Sequence, residues 1–184
     1  KEDYTLTGEI DPSPGGLGRF HVKQKKWEAD VRFRNYPDRL EFSTLTLESG
    51  PSHIGATGTI KHFAAPVLNA EFRAHLVAGR LASDWQDRFA WLKELKLKGT
   101  IDATGTVVGP LKDPAKTRLK LKAESARLTY ADMFVFEPIE ADLTYDAGIL
   151  DISYAKAGFY GGEARLTARA DFTEPKKPYF ESHL

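Results

Sequence analysis

The chain has 184 residues, no cysteine, and 26 basic against 26 acidic residues. Without cysteine it has no disulfide, no thiolate metal site and no thiol nucleophile. Its zero net charge, with both signs interspersed, lacks the one-sided basic excess of a nucleic-acid footprint. No apolar run approaches the roughly 20 residues that span a bilayer.

The length suits one cored domain or a slice of a longer repeat protein. A chain that opens on Lys1 and closes on Leu184, at what reads as a strand end, is expected to be an excised fragment or a processed product.

Period-two alternation dominates, placing one side-chain set on each strand face. Tyr4, Leu6 and Ile10 alternate with polar residues until Asp11-Pro12-Ser13-Pro14-Gly15-Gly16 breaks the strand. Phe20 and Val22 follow, Gln24-Lys25-Lys26 turns, and Trp27, Ala29, Val31 and Phe33 alternate up to the turn Asn35-Tyr36-Pro37-Asp38. Leu40 and Phe42 hold one parity and Leu45 and Leu47 the other, as a β-bulge at Ser43 or Thr44 would produce. Beyond Gly50-Pro51, Ile54, Ala56, Gly58 and Ile60 return, and Leu68, Ala70, Phe72, Ala74 and Leu76 alternate after Pro66.

The pattern then changes period. Trp85, Phe89 and Leu92 share one helical face, with Ser83 or Asp84 as N-cap, which predicts one helix near 82–93. Strands resume at Leu95, Leu97, Ile101 and Ala103, and Gly109-Pro110-Leu111-Lys112-Asp113-Pro114 is turn chemistry. Leu119, Leu121 and Ala123 follow, then Ala126, Leu128 and Tyr130, then Phe134 and Phe136, then Ile139, Ala141, Leu143 and Tyr145. After Asp146-Ala147-Gly148, Leu150, Ile152 and Tyr154 run into the corner Tyr160-Gly161-Gly162, and an alternating strand leaves it towards Phe172.

A similar unit, Leu40–Leu47 into Gly50-Pro51 and out through Ile54–Ile60, lies about 110 positions earlier. The expectation is a mainly β, antiparallel, strongly curved meander, an open groove or half-barrel, with one short helix near 82–93. Residues 1–184 would form part of one elongated β-groove domain, in two similar halves, about 1–81 and 95–184, joined by that helix. The same alternation also fits a closed sandwich whose apolar face packs on a second layer.

The run Leu97–Pro114, then Phe136-Glu137-Pro138-Ile139, Leu150-Asp151-Ile152, Phe159-Tyr160-Gly161-Gly162 and Ala168–Phe172 resembles the AsmA and TamB class of envelope proteins, in particular the AsmA-like C-terminal region. The resemblance covers about residues 27–184, is best from 95 onward, and rests on turn motifs. It implies a long β-groove in the periplasm, belonging to a parent protein anchored in the inner membrane, that helps move phospholipid between the inner and outer membranes. The partners implied are phospholipid acyl chains and other envelope proteins, without nucleic acid, cofactor or catalysis. The residues expected to face lipid are Val31, Phe33, Leu68, Phe72, Ile139, Leu143 and Ile152. Those expected to shape turns and corners are Gly109, Pro110, Asp113, Pro114, Tyr160, Gly161 and Gly162.

Two other readings fit the same residues: a scaffold binding partners by strand addition, and a carbohydrate-binding or hydrolytic β-sandwich. Catalytic signals are weak. None of His21, His53, His62, His75 and His183 forms an H-x-x-x-H pair, although His53 and His62 could meet across a hairpin as a metal pair. Asp11, Asp38, Asp113, Asp146 and Asp171 sit at turns or strand ends, where backbone hydrogen bonding accounts for them. Gly15-Gly16-Leu17-Gly18 lacks the Lys-Ser/Thr of a phosphate loop, and no Gly-x-Ser-x-Gly elbow occurs.

Overall fold

A computed structural model describes residues 4–24, 26–85, 96–173 and 179–183. The elements are β1 (Tyr4–Ile10), β2 (Gly16–Gln24), β3 (Glu28–Asn35), β4 (Arg39–Ser49), β5 (Ser52–Lys61), β6 (Val67–Val77), α1 (Ala78–Trp85), β7 (Lys98–Pro110), β8 (Arg118–Ser125), β9 (Leu128–Tyr130), β10 (Phe134–Asp146), β11 (Ile149–Phe159), β12 (Gly162–Asp171) and β13 (Tyr179–His183). All 13 strands form one antiparallel, curved sheet, each neighbour in space following in sequence. The exception is β9, which continues the line of β8 between β7 and β10. β1 and β13 are the two edges, and they do not pair with each other, so the sheet stays open.

Short loops force the meander, because two-residue connections allow only antiparallel neighbours. Tyr160 (φ 49) and Gly161 (φ 81) both take left-handed backbone between the paired ends Phe159 and Gly162. Such a turn matches the strand twist and suits glycine at its second position.

Two hairpins share one irregularity. In β4, Phe42 pairs with Gly58 and Leu45 with Ala56, so Ser43 and Thr44 bulge opposite Thr57. About 110 positions later, Ile152 pairs with Ala168 and Ala155 with Leu166, so Ser153 and Tyr154 bulge opposite Thr167. The bulge serines even make matching bonds, from Ser43 Oγ to the Arg32 carbonyl at 3.4 Å and from Ser153 Oγ to the Asp142 carbonyl at 3.5 Å. The correspondence runs from β3–β6 to β10–β13, with β7–β9 between. Each bulge bends its strand and raises the local twist, which curves the sheet.

Two expectations need correction. The helix begins at Ala78, directly after β6, so Ser83 and Asp84 lie inside it and do not cap it; positions 86–93 of the expected helix fall outside the described residues. Tyr154 does not continue the parity of Ile152, because the bulge turns it to the opposite face beside Asp142.

A single layer leaves little room for a core. Among the described residues, Phe33, Phe42 and Ala70, at 2%, 4% and 4% exposure, form the one buried cluster, and no large side chain is buried completely. The accessible surface is 12761 Å², whereas a compact chain of this length would expose about 8,900 Å². What burial exists comes from rings lying flat on glycine. Phe20, Phe33, Phe42 and Phe72 pair across the strands with Gly8, Gly18, Gly58 and Gly105. A Cβ at any of these glycines would collide with its partner's ring. The missing side chain is the space the ring occupies, the cross-strand rescue of glycine by an aromatic.

Candidate functional site

The registers sort the side chains into two faces. One row crosses twelve strands: Ile10, Gly18, Phe33, Phe42, Gly58, Ala70, Val107, Leu119, Tyr145, Leu150, Ala170 and Phe180. Two residues along, Gly8, Phe20, Val31, Leu45, Ala56, Phe72, Gly105, Leu121, Leu143, Ile152 and Ala168 form the next row. On the strands of this face, among the described residues, the registers place no Asp, Glu, Lys, Arg or His.

Val31, Phe33, Leu68, Phe72, Ile139, Leu143 and Ile152 all stand on this face, with Val31, Phe72, Leu143 and Ile152 in a single row. All but the buried Phe33 are half-buried. Near its β13 edge the sheet holds a half-open cavity of about 370 Å³, lined by Leu150, Ile152, Ala168, Ala170, Phe172 and Phe180 together with Arg169, Glu181 and Ser182. Across the strands, the arrangement offers a broad apolar surface.

The turn residues sit at the ends of this face. Gly109 and Pro110 are the last residues of β7, pairing with Leu68 and Val67, so the turn proper is Leu111-Lys112. Gly109 lacks a Cβ where Thr117 crosses closely. Asp113 precedes a 3₁₀ turn over Pro114–Lys116, accepts the Lys116 amide at its carbonyl (3.0 Å) and binds Lys116 Nζ at 2.9 Å. Tyr160 donates its hydroxyl to the Met133 carbonyl at 3.0 Å, tying the two loops at that end together.

The opposite face carries the charges in cross-strand pairs: Arg19–Asp30 at 2.7 Å, Lys156–Glu163 at 2.7 Å and Arg118–Asp146 at 3.0 Å. The hydrogen bond from Arg19 holds the Asp30 carboxyl below its ordinary range, and bonds from Lys156 and Arg165 do the same for Glu163. A carboxyl lowered on folding favours the native state at neutral pH, an advantage lost as pH falls through its folded pKa. Exposed pairs contribute little each; they oppose wrong registers, which would turn charges onto the apolar face.

His53 does not meet His62. It pairs across β5–β6 with His75, rings stacked at 5.4 Å, and His75 Nδ1 donates to Asp102 at 2.7 Å. His62 lies at the other end of β5, beyond Lys61 in a left-handed turn. His53 and His62 cannot meet because His53 lies near the start of β5 (Ser52–Lys61) and His62 just past its end. No three metal-ligating side chains converge among the described residues. Asp11 and Asp171 accept bonds from Ser13 and Thr173 at their turns.

Two buried serines differ sharply. Ser52 Oγ accepts the Val77 amide at 2.9 Å where β6 enters α1, whereas Ser125 Oγ, at 5% residue exposure, has no partner among the described residues. Urea unfolding should show Ser52→Ala losing about 1–3 kcal/mol, because it strands a buried N–H, and Ser125→Ala neutral or gaining about 1 kcal/mol.

Comparison with protein-family models, with curated proteins and with solved structures found no match to this chain. No helix among the described residues is long and apolar enough to cross a membrane.

Proposed function

We propose that this chain is a segment of an AsmA/TamB-like periplasmic groove protein, non-catalytic, whose apolar face carries phospholipid acyl chains between the inner and outer membranes. One observation carries the reading: a twelve-strand apolar face free of charged side chains, with no second layer over it among the described residues. A monomer rarely exposes more than a few hundred Å² of contiguous apolar surface without a partner for it. An acyl chain suits such a face, since each buried methylene contributes about 0.8 kcal/mol without a polar anchor.

Native mass spectrometry of the chain, incubated with phosphatidylethanolamine after detergent-free purification, tests this. Phospholipid adducts on the folded chain are expected. A folded chain that never carries lipid overturns the reading. Strand addition is a second reading: β13 corresponds to β6, whose outer side is covered by β7, whereas β13 has no outer neighbour among the described residues. Capture of an extended peptide, without lipid uptake, would select it.

A further inference from the structure

The polar face carries one row with two histidines side by side. His53 of β5 and His75 of β6 are direct cross-strand partners, and their rings stack with centres 5.4 Å apart. Register extends the row through Glu48 on β4, and through Asp102 and Glu124 on β7 and β8. Arg73, opposite Gly55, stands one pair further along β5 and β6. His75 Nδ1 lies 2.7 Å from Asp102 Oδ1. An ionised carboxylate only accepts, so Nδ1 carries the proton and the neutral ring keeps its lone pair on Nε2. Both rings reach water, His53 being exposed and His75 half-buried.

We infer that His53 and His75 form a surface chelate for a divalent transition-metal ion, zinc or copper(II). The two imidazole nitrogens are the protein's whole share of the ligands and water completes the shell, so no third side chain has to converge. Distance supports the pair. Two nitrogens on one tetrahedral zinc stand about 3.3 Å apart. Rings with centres 5.4 Å apart reach that separation by turning their nitrogen edges towards each other, with both strands left in place. The Asp102 bond supports it independently. A metal-binding histidine almost always gives its other ring N–H to a carboxylate or carbonyl, which fixes the tautomer and raises the basicity of the ligating nitrogen. The carboxylates Glu48, Asp102 and Glu124 outnumber Arg73 and favour a cation beside the rings. Imidazole selects zinc and copper over calcium, which takes oxygen ligands. The site lies on the face opposite the apolar one and does not depend on the lipid reading.

Titration of the untagged 184-residue chain with copper(II), read by calorimetry and electron paramagnetic resonance, tests the site. Expected are one ion per chain and a hyperfine pattern from two nitrogens. His53→Ala and His75→Ala should each leave a single nitrogen on the ion. Asp102→Asn should keep both nitrogens but weaken binding about tenfold, the usual loss when the carboxylate behind a ligating histidine goes. His62→Ala, past the far end of β5, should bind as the unchanged protein does. Circular dichroism of each variant confirms folding, and the two ligand variants back each other. Excess calcium should displace nothing. Binding that survives both histidine variants undiminished, a one-nitrogen pattern in the unchanged chain, displacement by calcium, or no saturable binding each overturns the chelate.

Discussion

Replacing Phe33 by alanine should remove about 3–5 kcal/mol of stability, the largest loss expected from any single truncation here. The ring is 2% exposed, lies on the bare backbone of Gly18 and stacks on Phe20 at a centroid distance of 5.4 Å. It also belongs, with Phe42 and Ala70, to the only cluster of buried apolar side chains among the described residues. In a two-layer protein, a second sheet could close over the vacancy. Here the neighbours that could move in are already fixed by cross-strand pairing, and water enters the gap instead. Domains are stable by about 5–15 kcal/mol, so the variant should unfold at far lower urea and lose much of its cooperativity. Gly18→Ala attacks the same contact from the other strand, since its Cβ would occupy the space of the ring. The two together should cost less than the sum of their separate effects, because both break one contact. A loss below about 1 kcal/mol for Phe33→Ala would mean that cross-strand pairing, not this cluster, holds the first half of the sheet.

Most of this fold is legible in the sequence because period two and short turns are local signals. The parity switch from Leu40 and Phe42 to Leu45 and Leu47 marks the bulge that Ser43 and Thr44 form. The second bulge carries the same signal, Ile152 against Ala155 and Ala157, but alanines are weak markers of a face and Tyr154 mimics a continuing strand. That Val31, Phe33, Leu68, Phe72, Ile139, Leu143 and Ile152 share one face was legible for a related reason: large apolar side chains at one parity announce their face. The alignment of Ala74, Ala103, Ala123, Ala141 and Ala155 was not, because it exists only when the registers of five strands are known together. The histidine pairing failed likewise. Whether His53 faces His62 or His75 depends on where β5 ends, which is set by the loop at residues 62–66 and not by the histidines. The helix start was misplaced because Ala78 and Gly79 carry no capping chemistry; the Ser52 hydroxyl, from the neighbouring strand β5, binds the last amide of β6 at the junction.

Leu143→Glu should abolish acyl-chain binding while leaving the protein folded. Leu143 lies near the centre of its row, between Leu121 and Ile152, on the apolar wall of the sheet. It is half-buried, so in the free chain a glutamate could reach water at a cost of about 1–2 kcal/mol, within what the fold tolerates. When hydrocarbon covers the wall, that escape closes. The carboxylate must then lose its water with no cation on the face to replace it, and even a neutral polar group buried without a partner costs about 2–7 kcal/mol. Binding should therefore fall by at least about a hundredfold, since each 1.4 kcal/mol is tenfold. The comparison that isolates the face is Thr144→Glu, one position along the same strand. It places the same charge on the polar side, opposite Lys120 and Asp151, where water remains and binding should not change. Circular dichroism and palmitate titration of the two variants separate the outcomes. Equal losses would tie binding to net charge and not to the face. Retention by Leu143→Glu in a folded protein would place hydrocarbon somewhere other than the apolar side of the sheet.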